Sequence, residues 1–145
     1  MLSSFGYFLL SQWLWNVTWG VYHIPLNIFF MYMFLRITQD MGKLHLLALT
    51  IGANIFSAVV YSAFVVGVLI FGCGLQYLPS QCPVFTVYGS LQASLFVGAI
   101  YAVIQGVFFL LLPRRYSMYW IHALGFAIIS NLMASIMVYK MLPTY

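Results

Sequence analysis

The sequence predicts an all-α integral membrane protein built as one four-transmembrane-helix bundle. Three observations lead there. The 145-residue chain is 65% hydrophobic and only 4% charged, whereas a soluble domain carries about 25% charged residues. Four apolar runs, about 13–35, 44–71, 86–112 and 118–141, each reach the roughly 20 residues a helix needs to cross a bilayer. The runs are continuous rather than alternating, and four spans cannot close a β-barrel. Disorder is excluded, because disordered chains are polar rather than aliphatic and aromatic.

The first span follows an apolar stretch over 1–12. That stretch lacks a basic n-region and reads as part of the membrane domain rather than a signal peptide. Residues 36–43 (RITQDMGK) lead into the second span. Loop 72–85 leads into the third, and 113–117 (PRRYS) into the fourth. Arg36, Lys43, Arg114 and Arg115 all lie in or beside the first and last of these loops, and loop 72–85 has no basic residue. The positive-inside bias therefore places 36–43 and 113–117 in the cytoplasm, with both termini and loop 72–85 on the other side. Lys140 runs against this assignment. Trp13, Trp15, Trp19, Tyr77, Tyr88 and Tyr145 read as an outer aromatic belt, and Tyr116, Tyr119 and Trp120 as an inner one. The only cysteines, Cys73 and Cys82, share the loop expected outside, where a structural disulfide is favoured. Their spacing is not the Cys-x-x-Cys of a redox-active pair. The sequon at Asn16 lies too close to the boundary to be glycosylated.

The two hairpins, 13–71 and 86–141, match as a tandem parallel repeat. Tyr22, Phe29, Phe30 and Arg36 correspond to Tyr101, Phe108, Phe109 and Arg115. His45 and Asn54 correspond to His122 and Asn131, followed by Ser57-Ala58 and Ala134-Ser135. A parallel repeat implies a pseudo-two-fold axis along the membrane normal, a pattern by which transporters grow.

Small residues at spacing four let membrane helices approach closely. Ser90, Ser94, Gly98, Ala102 and Gly106 form such a ridge, expected to be the main packing seam. Ala123, Ala127, Asn131 and Ser135, and Asn54, Ala58 and Ser62, repeat the spacing on the fourth and second helices. Polar stripes run through Asn16, Gly20, His23 and Asn27, through Thr50, Asn54, Ser57 and Tyr61, and through Ser94, Gly98, Tyr101 and Gln105. Polar groups at this depth face the bundle interior. His23, Asn27, Asn54, Tyr101, Gln105 and Asn131 are therefore the candidate ligand-binding or polar interior residues. His23, Asn54 and Asn131 are expected near mid-membrane, with Tyr101 and Gln105 nearer the inner side. His23 also lies two residues before Pro25, which leaves the Val21 carbonyl without a donor and marks a kink. The competing reading has His23 hydrogen-bonded to Asn27, Asn54 or Asn131 as a bundle lock. His45 and His122 are candidate haem b ligands, but each lies on the helix face opposite its asparagine and so points outward. Three histidines without nearby thiolates or carboxylates make no metal site.

Asp40 is the only acid. That excludes paired-carboxylate hydrolysis and an intramembrane carboxylate relay. No nucleophile with a base and no cofactor loop is visible, so no enzyme is expected. The basic residues form no stripe for nucleic acid. The expected partners are the lipid bilayer and either further copies of the chain or other membrane subunits. Three functional readings follow: a transporter or channel component for a neutral or amphipathic solute, a non-catalytic subunit of a larger membrane complex, and a small b-type cytochrome.

Overall fold

A computed structural model describes residues 2–39, 41–67, 91–112 and 120–141. They form four helices: α1 (Leu2–Thr38), α2 (Lys43–Gly67), α3 (Leu91–Leu111) and α4 (Trp120–Met141). All four are long and apolar enough to cross a membrane, over Val17–Thr38, Lys43–Val65, Leu91–Leu111 and Ile121–Met141. The apolar stretch expected ahead of the first span is not a separate segment, because α1 runs unbroken from Leu2. At ~1.5 Å per residue, its 37 residues cover ~55 Å, well beyond the ~30 Å hydrocarbon core. The first connection is also shorter than the expected 36–43. The Thr38 hydroxyl donates to the Phe34 carbonyl (2.8 Å), and the Gln39 amide donates to the Leu35 carbonyl (2.8 Å), carrying helical bonding past Arg36. α2 begins at Lys43, α3 ends at Leu111 and α4 ends at Met141, beside the expected 44, 112 and 141, while the ends expected at 71, 86 and 118 lie outside the described residues, as do Cys73, Cys82 and Ser90.

The helices pack in sequence order around a square. The α3–α4 contact is the most extensive, and α1–α2, α2–α3 and α4–α1 close the ring. The expected ridge does form the α3–α4 seam: Ser94, Gly98, Ala102 and Gly106 are all buried. Gly98 shows why small residues are needed there. A Cβ at Gly98 would run into the Ser135 side chain and lie 3.3 Å from the Asn131 carbonyl oxygen. The α4 seam is buried from Ala123 to Ser135, but the α2 seam stops at Ala58, and Ser62 is exposed.

Two clusters fill the bundle. Towards the α1–α2 connection, Met31, Leu35, Leu46, Ala53, Ala102, Phe109, Ala123 and Ala127 form a mainly aliphatic core. At the other end, Trp19, Tyr61, Val97, Tyr101 and Val138 form a largely aromatic one. Outside, Val21, Phe29, Ile37, Ile55, Val59, Phe96, Val103 and Ile128 are among many exposed large apolar side chains, spread over every helix. Water-soluble proteins do not expose apolar surface on that scale.

Candidate functional site

Four amides, one from each helix, meet between the two clusters. Asn27 Nδ2 donates to Asn54 Oδ1 (3.0 Å), Gln105 Nε2 donates to the same oxygen (3.3 Å), and Asn131 Nδ2 donates to Gln105 Oε1 (2.6 Å). All four side chains are buried. In the candidate spans, Asn54 has eleven residues on either side and Asn131 has ten, while Asn27 has ten before it and eleven after. Three of the four amides thus occupy span centres. Gln105 lies beyond the centre of α3 but reaches the same level.

The donor direction along this chain is determined by backbone. Asn131 Nδ2 also donates to the Ala127 carbonyl (2.7 Å), and Asn54 Nδ2 donates to the Thr50 carbonyl (2.9 Å). A carbonyl can only accept, so both amide nitrogens must lie where they do. Gln105 must then present its oxygen to Asn131 and its nitrogen to Asn54, and Asn27 must present its nitrogen. The consequence is an open ring. Asn27 Oδ1 on α1 and Asn131 Oδ1 on α4 are buried acceptors with no partner, although α1 and α4 pack together.

One turn from Asn27 lies His23, fully buried. Its ring stacks on Trp19 (centroids 3.9 Å, 17° between planes) and meets Tyr101 edge-on (5.3 Å, 67°). Tyr101 in turn packs against Tyr61 (5.1 Å). Neither imidazole nitrogen has a partner in hydrogen-bond geometry, although a backbone group of Asn131 lies close enough to interact with the ring. Of the three asparagines expected to lock His23, only Asn131 approaches it, through its backbone, while the asparagine side chains bind one another, Gln105 and the helix carbonyls. Pro25 sits on the exposed side of α1 with Val21, and α1 continues through it.

Tyr101 lies level with Trp19, His23 and Tyr61, away from the α1–α2 connection. Trp19 needs a correction. It is 1% exposed and donates from Nε1 to Ser94 Oγ (3.0 Å), whose hydroxyl donates to the Ser135 carbonyl (2.9 Å). It is an interior residue, not part of an interfacial belt, because an indole N–H can be buried where a hydroxyl accepts it. Its spacing of four from His23 placed it on the polar stripe. Ser135 also escaped notice as a site residue, and its Oγ is buried without a partner. His45 and His122 are both exposed on the outer surface, and neither faces the interior. Among the described residues, no group of histidine, cysteine or acidic side chains could hold a metal ion. No protein-family model matches the chain, and no curated protein or solved structure is significantly similar to it.

Proposed function

We propose that this chain is a multi-pass membrane protein whose bundle interior binds a neutral or amphipathic solute, as a transporter or channel component without enzymatic activity. The observation that carries this reading is the set of buried polar atoms left without partners. His23 Nδ1 and Nε2, Asn27 Oδ1, Asn131 Oδ1 and Ser135 Oγ all belong to α1 and α4. Buried polar groups are almost always hydrogen-bonded, and the exceptions call for an occupant or a role. A neutral solute suits the interior because Asp40, the only acid, lies between α1 and α2, and an isolated charge costs far more to bury than a dipole. The apolar exterior supports membrane insertion, and the basic residues at 36–43 and 113–117 support a cytoplasmic face there.

A duplicated hairpin accounts for the site's layout. In the second helices the registers agree at the spacing read from the sequence. His45 and His122 are exposed, Leu46 and Ala123, Thr50 and Ala127, and Tyr61 and Val138 are buried. Asn54 and Asn131 each bond the carbonyl four residues back. In the first helices the better register is one residue shorter than the Tyr22–Tyr101 match. Tyr22 is 44% exposed and Tyr101 only 3%, whereas Trp19 and Val97, His23 and Tyr101, Asn27 and Gln105, and Met31 and Phe109 are buried pair by pair. In that register Gly20 and Gly98 also correspond, and the four amides form two equivalent pairs.

Proteoliposomes carrying the wild-type chain should admit small neutral solutes such as urea or glycerol faster than empty vesicles, read by stopped-flow swelling. His23→Phe should remove the excess flux while leaving the bundle folded. Equal swelling with and without the protein would end the transport reading. A second reading, a non-catalytic subunit of a larger membrane complex, draws on the amide chain, which ties all four helices together whatever they carry. Native mass spectrometry of the protein from its own membrane distinguishes the two: further copies alone favour the first, other chains the second. The b-type cytochrome is the weakest reading, and a Soret band in the purified protein would revive it.

A further inference from the structure

The five partnerless atoms come from two pairs of residues, each four apart on one helix. His23 and Asn27 lie on one face of α1, Asn131 and Ser135 on one face of α4. The two helices pack together, a backbone group of Asn131 approaches the His23 ring, and Ser135 shares the Gly98 contact with the Asn131 carbonyl. The His23, Asn27 and Asn131 atoms thus border the α1–α4 edge, where the amide ring is open, while Ser135 Oγ lies against Gly98 in the α3–α4 seam.

Their chemistry is lopsided. Asn27 Oδ1 and Asn131 Oδ1 can only accept. A neutral imidazole adds one acceptor and one donor. An occupant must therefore bring at least two N–H or O–H donors and one acceptor. A simple alcohol has one donor and falls short. A cation would bring donors, but no acid lies on any of the four helices to balance it, and an unpaired charge at that depth is strongly disfavoured.

We propose that the α1–α4 edge between His23, Asn27 and Asn131 is a binding site for a small neutral molecule offering two or more hydrogen-bond donors and an acceptor. Primary carboxamides, ureas and ammonia meet this description, and so does water. An amide there completes the ring with the same bonding that joins its other three edges. This deepens the functional reading above and rests on it for the solute class, but not for movement across the membrane.

The test uses the full wild-type chain in phosphatidylcholine nanodiscs, labelled with ¹⁵N at the histidine imidazoles and titrated with acetamide. The His23 resonances should shift saturably, while exposed His45 and His122 stay in place as internal controls. A persistent exchange peak between the His23 ring N–H and a long-lived water, without an acetamide response, supports the same site with water as its occupant. No acetamide response and no bound water would overturn the proposal, as would equal shifts at all three histidines. Binding without flux leaves the site standing and removes only the transport reading. Flux without any response at His23 does the reverse.

Discussion

The two ends of the bundle solve the same packing problem differently. At the end near the α1–α2 connection, Met31, Leu35, Leu46, Phe109 and Ala123 close the interior with apolar surface alone, and every partnerless polar atom lies elsewhere among the described residues. At the other end, Trp19, His23, Tyr61 and Tyr101 fill the space with aromatic rings, and polar atoms stay unpaired beside them. The amide chain marks the change from one to the other. The difference teaches where to look for stability and where for function. Buried polar atoms that bind one another hold helices in register, whereas those left open carry a desolvation cost that an occupant can relieve.

Four substitutions test this division, from the largest effect to the smallest. Gly98→Val should be the most damaging, because its side chain meets Ser135 and the Asn131 backbone, and backbone cannot rotate away. A loss of about 3 kcal/mol, the upper range for overpacking, is expected from reversible unfolding in bicelles. Asn54→Leu comes next. It removes the oxygen that accepts from both Asn27 and Gln105 and should cost about 2 kcal/mol in the same assay, with each interhelical bond in lipid contributing roughly 0.6–1.7 kcal/mol. His23→Phe is the sharpest test of the comparison. It keeps a ring against Trp19 and Tyr101 and removes two partnerless nitrogens, so stability should change by less than about 1 kcal/mol while solute flux is lost. Strong unfolding of His23→Phe, or unchanged flux, would break the proposed division. Gly106→Ala should do least, under about 0.5 kcal/mol in the unfolding assay, because its Cβ meets only the end of the flexible Leu124 side chain, Cδ1, at 3.1 Å. Gly98 and Gly106 share one ridge, so their contrast separates a backbone obstacle from a side-chain one.

Much of this arrangement was legible in the residues. The α3 ridge from Ser94 to Gly106, the polar stripes from His23, Thr50 and Ser94 onward and the outward faces of His45 and His122 follow from helical spacing, and these residues lie buried or exposed accordingly. Trp19 was not legible as an interior residue, because a tryptophan near a span end has an ordinary explanation in the interface. Its burial depends on a hydroxyl from Ser94, 75 residues away in the chain. The match of Tyr22 with Tyr101 is uninformative for a related reason. Tyrosine and phenylalanine are common in this sequence, so letter matches there say little, while burial separates Tyr22 from Tyr101 at once.

By itself, the sequence determined the class of the protein. Six charged residues in 145, with four long apolar runs, leave only helices suited to a bilayer, because backbone polar groups without water must be satisfied within their own segment. It also determined which residues were polar enough to need the interior. Only the tertiary structure decided how they pair. Three asparagines and a glutamine can bond in several orders and with either end of each amide. The choice falls to the Thr50 and Ala127 carbonyls, which accept and cannot donate. That constraint propagates through Asn54, Gln105 and Asn131 across all four helices, and it leaves the unmatched oxygens at the α1–α4 edge beside His23.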